Sequence, residues 1–122
     1  MNASSKMPAL PEQIATCQRF GSEIVPVAPA LKVGIALATL QEIPLHAMRI
    51  PEEGGACGWY IHAGEYSEHP DFYQPLHVSH LKDYCPQIIP YLALAPGWRV
   101  LLAPGYEDVW LDETLLKRQT EA

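Results

Sequence analysis

Hydrophobic positions change period several times along this chain, and each change marks an element. Leu10, Ile14 and Cys17 recur at helical spacing. Pro11 suits the first helical turn, Glu12 beside it favours the positive end of the helix dipole, and Gly21 is a stop signal. The pattern predicts a short amphipathic helix over residues 11–20 that covers one side of a core. Residues 21–31 hold Pro26 and Pro29 without a helical period and read as a connector or edge segment. From residue 32 the period becomes two. Val33, Ile35 and Leu37 alternate with small residues, a strand pattern over 32–39 in which the alanines leave a helix open. Over 45–50, Leu45, Ala47 and Arg49 fall on one face and His46, Met48 and Ile50 on the other. Pro-Glu-Glu-Gly-Gly-Ala at 51–56 then reads as a turn leading into a strand over 59–63.

Residues 64–75 form the longest polar connection. Val78, Leu81, Tyr84 and Cys85 return to helical spacing until Pro86 ends it, and 88–92 adds a turn interrupted by Pro90. An apolar strand is expected at 99–103, a turn at Pro104-Gly105, and a short strand at 109–111. Asp112 suits the cap of a terminal helix over 113–119. Gly-Trp at 58–59 and again at 97–98 opens two strands, which reads as strand grammar rather than a domain repeat. The expected architecture is α+β: one small domain over 10–122, with a mostly antiparallel sheet and helices covering one face, after a disordered stretch at 1–9.

A chain of 122 residues is long enough to bury a core without metal or disulfides. Its net charge of −6 argues against general nucleic-acid binding and permits steering toward a basic partner. Cys17, Cys57 and Cys85 are odd in number and widely spaced, which suits free thiols in a reducing compartment. No apolar run approaches the roughly 20 residues of a membrane span, and residues 1–10 lack a signal-peptide pattern. A cytoplasmic location follows as the expectation, with neither a membrane nor a nucleic acid as partner.

Candidate chemistry is sparse. His77 and His80 can share a helical face, and with His62 they outline a small ligand- or metal-binding alternative, with Glu65 and Cys85 as further donors. The spacing matches no standard zinc module, so neither a metal nor another cofactor is expected. Cys85 precedes a proline and Cys57 lies in a glycine-rich turn, without the electropositive setting an activated thiolate needs. Ser67 and Ser79 lack a nucleophile-elbow context. The chain is therefore not expected to be an enzyme. Trp59, Trp98 and Trp110 are each followed by apolar residues and read as core, and Phe72 as a residue that pins its loop to that core. Tyr66 and Tyr106 sit among acidic residues, and Glu65, Tyr66, Glu68, Asp71, Tyr106, Glu107 and Asp108 together make a candidate protein-binding patch. In such a patch aromatics anchor and carboxylates set register and on-rate.

Several blocks point further. Gly58-Trp59, Gly64-Glu65, Asp71-Phe72, Pro75-Leu76-His77-Val78, Tyr84-Cys85-Pro86, Ile89-Pro90-Tyr91-Leu92 and Pro96-Gly97-Trp98-Arg99 together resemble the immunity protein 33 family, formerly a domain of unknown function. The resemblance covers residues 58–113. It implies a cytoplasmic protein of a toxin-bearing bacterium that binds and neutralises its cognate toxin, typically one delivered by type VI or contact-dependent secretion. It brings no catalytic residues, and it leaves the oligomeric state open. A scaffold domain within a larger assembly is the remaining alternative.

Overall fold

A computed structural model describes residues 9–117, and the order of its elements follows the hydrophobic pattern closely at the N-terminus. Helix α1 spans Pro11–Phe20, with Pro11 in the first turn and Gly21 as a left-handed cap whose N–H donates to Cys17 O. Leu10, at the N-cap, has no side-chain acceptor to offer. The Gln13 side chain compensates by accepting from the Leu10 N–H at 2.9 Å, while its own amide donates to Ile89 O at 2.9 Å. One buried polar side chain thus closes the helix start and ties α1 to the 3₁₀-helix at Pro86–Tyr91. Most of the expected disordered stretch at 1–9 lies outside the described residues.

Among the described residues six strands form one sheet: β1 Lys32–Ile35, β2 Leu45–Arg49, β3 Ala56–Ala63, β4 Gln74–His77, β5 Trp98–Ala103 and β6 Tyr106–Leu111. Their spatial order is β4-β1-β3-β2-β5-β6, with β1–β3 the parallel pair and the other pairs antiparallel. The fold is α+β, as the pattern implied. Several elements differ from expectation. The strand at 32–39 stops at Ile35, because Thr39 closes a 3₁₀ turn at Leu37–Thr39: its hydroxyl donates to Ala36 O at 2.8 Å and accepts from Ala63 N–H at 2.9 Å. The helix expected over 78–85 divides into a 3₁₀ turn at Val78–His80 and one α turn, α2, at Leu81–Tyr84. The polar connection ends early, because Gln74–His77 pairs with β1 as an edge strand despite Pro75. The terminal helix is a 3₁₀ turn at Glu113–Leu116, capped by Asp112 accepting from Thr114 N–H; the remainder of the expected 113–119 helix lies outside the described residues after 117.

Period-two alternation divides the sheet into two faces. Val33, Ile35, Leu45, Ala47, Trp59, Ile61, Val100 and Val109 pack into one core with Cys17, Leu81, Cys85, Ile88, Leu92 and Leu94 from the helical layer. Trp59 is fully buried and its indole N–H donates to Leu92 O at 3.0 Å. The tryptophans therefore do not share one role: Trp98 is half-buried, and Trp110 is 38% exposed on the opposite face.

Arg49 is 2% exposed and lies on the core face of β2. Its guanidinium donates to Val25 O and Leu94 O at 2.7 Å, Cys57 O at 3.2 Å and Leu92 O at 3.3 Å. No carboxylate among the described residues forms an ion pair with it. Four carbonyl dipoles solvate the cation instead, and burial lowers its pKa. Removing the guanidinium leaves carbonyls from three separate segments without a donor. Arg49→Met is expected to lower unfolding free energy by about 3 kcal/mol or more, read as a lower urea midpoint at unchanged m-value. A loss below about 1 kcal/mol would show that water replaces those bonds.

Candidate functional site

The helical layer covers one face of the sheet and leaves the other to solvent. That open face is built by the alternate residues of the same strands. His46 and Met48 come from β2, Tyr60 and His62 from β3, Arg99 and Leu101 from β5, and Trp110 from β6. They line an open cavity of about 570 Å³ together with Tyr66 and Tyr73, which the 64–73 connection brings over the sheet. Gly34 of β1 makes this possible: a Cβ there would come within 2.7 Å of the Tyr60 ring, which instead lies against the bare backbone.

Aromatic contacts hold the connection in place. Registry between β2 and β3 sets His46 opposite His62, and their rings stack with centroids 4.6 Å apart. Around His62 stand Phe72 at 5.6 Å, Tyr66 at 5.9 Å and Tyr73 at 6.2 Å, and Phe72 and Tyr66 meet edge to face at 5.4 Å. Phe72 does pin its loop, but to this open face rather than to the core. The Tyr73 hydroxyl meets His62 Nδ1 at 3.3 Å.

The face is electrostatically quiet for its polarity. Burial, reinforced by neighbouring Arg99, pushes the His46 pKa down. Burial and the His46 ring do the same for His62, against an opposing hydrogen bond to the Gly64 backbone. Burial, with Tyr66 and Tyr60 close by, pushes Tyr73 up to about 12. Both histidines and Tyr73 are therefore neutral near pH 7. Arg99 is the cation that lines the cavity, and its Nε donates to Asp112 at 2.7 Å. Hydrogen bonds from Thr114, then from Arg99, hold the Asp112 carboxyl below its usual range.

The seven residues of the candidate patch are not brought together. Glu65, Glu68 and Asp71 are exposed on the 64–73 connection beside the aromatic cluster, and Tyr66 belongs to that cluster while 59% exposed. The other three are not in a loop: β6 begins at Tyr106, three residues before its expected start. Strand alternation puts Tyr106 and Asp108 on the face of Trp110 and turns Glu107 to the helical side. There the Glu107 carboxylate accepts from Arg19 of α1 at 2.6 Å and from the Tyr91 hydroxyl. Those two bonds hold its pKa down.

The histidines do not converge as a ligand set. His77 and His80 neighbour each other at 6.2 Å, while the partner of His62 is His46. Among the described residues no three His, Cys, Asp or Glu side chains are placed to hold a metal ion. The three cysteines are buried free thiols; desolvation raises the pKa of each, that of Cys85 to about 11. No helix among the described residues is long and apolar enough to cross a membrane. His46, Tyr60, Arg99 and Trp110 were missed by sequence reasoning. The alternation over 45–50 already separated His46 from the core positions, but which strands lie beside it is not a local property.

The family model that matches this chain is described as Imm33-like domain and covers residues 12–112. No curated protein and no solved structure matches it.

The histidine pair makes stability depend on pH. Both folded-state pKa values lie below that of the unfolded chain, so the unfolded chain takes up protons first as pH falls. Stability is therefore full above about pH 6.5 and declines below it. The urea midpoint is expected to drop between about pH 7.5 and 5.5 in the wild type and to drop less in the His46→Gln/His62→Gln double variant. Equal pH dependence of the two proteins would contradict this assignment.

Proposed function

The chain belongs to the Imm33-like domain family, and from that membership we propose that it is an immunity protein. It binds a toxin protein in stoichiometric complex and blocks it, and performs no catalysis of its own. The match over residues 12–112 is the observation that carries this reading. The toxin is the secreted effector of a bacterial competition system, type VI or contact-dependent, and the chain meets it in the cytoplasm.

The surface that best suits the task is the open face with its acidic border. Tyr66 and Trp110 are large, exposed and partly held by neighbours. They can bury area against a partner at low entropic cost. Glu65, Glu68 and Asp71 border the cluster on one side and Asp108 on the other. In a chain of net charge −6 these carboxylates steer a basic partner toward the aromatic anchors. A stable complex of ordinary size buries about 800 Å² on each side.

The direct test is growth rescue on co-expression with a candidate toxin gene, sought first in the neighbouring reading frames, followed by inhibition of the purified toxin at equal concentration. Toxin activity that persists at stoichiometric excess of this protein would end the proposal. Within the complex, Tyr66→Ala is expected to weaken binding by about 2 kcal/mol. Neutralising Glu65, Glu68, Asp71 and Asp108 together should slow association and flatten its salt dependence. Unchanged association by a folded quadruple variant would place the interface elsewhere.

A further inference from the structure

The two edges of the sheet are built differently. The β4 edge is four residues long and contains Pro75, which offers no N–H. The β6 edge is six residues long, has no proline, and exposes Tyr106, Trp110 and Leu111. Edges of this kind are normally blunted by charge. Here Glu107 is drawn to the helical side by Arg19 and Tyr91. Asp108 is left as the charged side chain of the strand without a salt bridge among the described residues.

Hydrogen-bond phase identifies which main-chain groups of β6 face outward. Ile50 N–H donates to Gly58 O and Gly64 N–H to Pro44 O, each at 2.9 Å. In an antiparallel ladder this turns His46 and Met48 toward β3 and Leu45 and Ala47 toward β5. Carried across the register, Val100 and Leu102 bond to β2, whereas Arg99, Leu101 and Ala103 bond to Trp110, Asp108 and Tyr106. The Asp112 N–H donating to Gly97 O at 2.7 Å keeps this phase. The N–H and C=O groups of Glu107, Val109 and Leu111 therefore point away from the sheet, repeating every ~6.8 Å. Among the described residues no strand pairs with them.

We propose that the outer edge of β6 is a docking strand that accepts an extended segment of the partner protein as a seventh strand. Alternating donors and acceptors at this spacing fit a polypeptide in extended conformation. Asp108 selects Lys or Arg opposite it, and a second cation or an aromatic suits the face of Trp110. Apolar residues of the segment fall beside Val109 and Leu111. A second copy of this chain is a poorer occupant, because it would join two bodies of net charge −6 with Asp108 of both in the seam. Only the identity of the partner as a toxin rests on the immunity reading.

The test therefore uses no toxin. A heptapeptide alternating valine and lysine is titrated into the isotope-labelled full chain, with a blocked-order peptide of the same composition as control. The expected result is coordinated shifts of the Glu107, Val109 and Leu111 amides with the alternating peptide alone. Leu111→Pro deletes one outward N–H and should weaken binding about three- to tenfold, whereas Leu111→Ala keeps it and stays within about twofold. Asp108→Lys, which leaves the edge backbone intact should Leu111→Pro fail to fold, is expected to weaken the lysine peptide and favour a valine–glutamate one. Absence of binding at millimolar peptide, equal binding of the control, or shifts confined to the 64–73 connection would overturn the proposal. A free-chain dimer dissolved by Asp108→Lys or Leu111→Pro would assign the edge to a second copy and overturn it equally. Failure here leaves toxin neutralisation untouched, and failure of neutralisation leaves the edge assignment standing.

Discussion

A single buried guanidinium ties three separate segments to the core face of the sheet. Arg49 sits on the core face of β2 and donates to carbonyls of the 21–31 connector, of β3 and of the segment after the 3₁₀-helix Pro86–Tyr91. Its own carbonyl accepts from Gly97 N–H at 2.7 Å, where β5 begins. A cation placed in this interior without those acceptors would cost several kcal/mol. Each acceptor left without a donor would add its own desolvation penalty. The connector and the Leu92–Leu94 region are thus held to β2 together, and Trp59 completes the arrangement by sharing Leu92 O.

The open face follows from that placement. With α1, α2 and the 3₁₀-helix Pro86–Tyr91 on the Arg49 side, the alternate residues of the same strands are left to the 64–73 connection. Adjacent residues consequently take opposite tasks. Glu107 fastens α1 and Tyr91 to the edge strand, and Asp108 faces outward beside Trp110. His62 and Ile61 divide in the same way, one beneath the aromatic cluster and the other in the core.

Local signals made part of this legible. Pro11 and Gly21 bracket α1 because capping is decided within a few residues. The faces of β2 were readable because alternation needs no partner, and even Arg49 fell on the correct side. What escaped depends on pairing between distant segments. Gln74–His77 is polar and contains a proline, and becomes a strand only because β1 offers it a ladder. Tyr106, Glu107 and Asp108 resemble a turn until β5 extends them. The His46–His62 stack requires the β2–β3 register, and the exposure of Trp110 requires knowing that its face has no helix. The family blocks speak mostly for core and turns, so the candidate surface had to come from the topology.

On the proposed function, the helical layer is scaffold and the open face with its β6 border is the working surface. Backbone hydrogen exchange of the full chain, free and bound to the toxin proposed as its partner, is the decisive measurement. New protection is expected in residues 64–73 and at the outward amides of Glu107, Val109 and Leu111, with α1 unchanged. Protection gained by α1 and the 86–91 segment while the open face exchanges as before would contradict it.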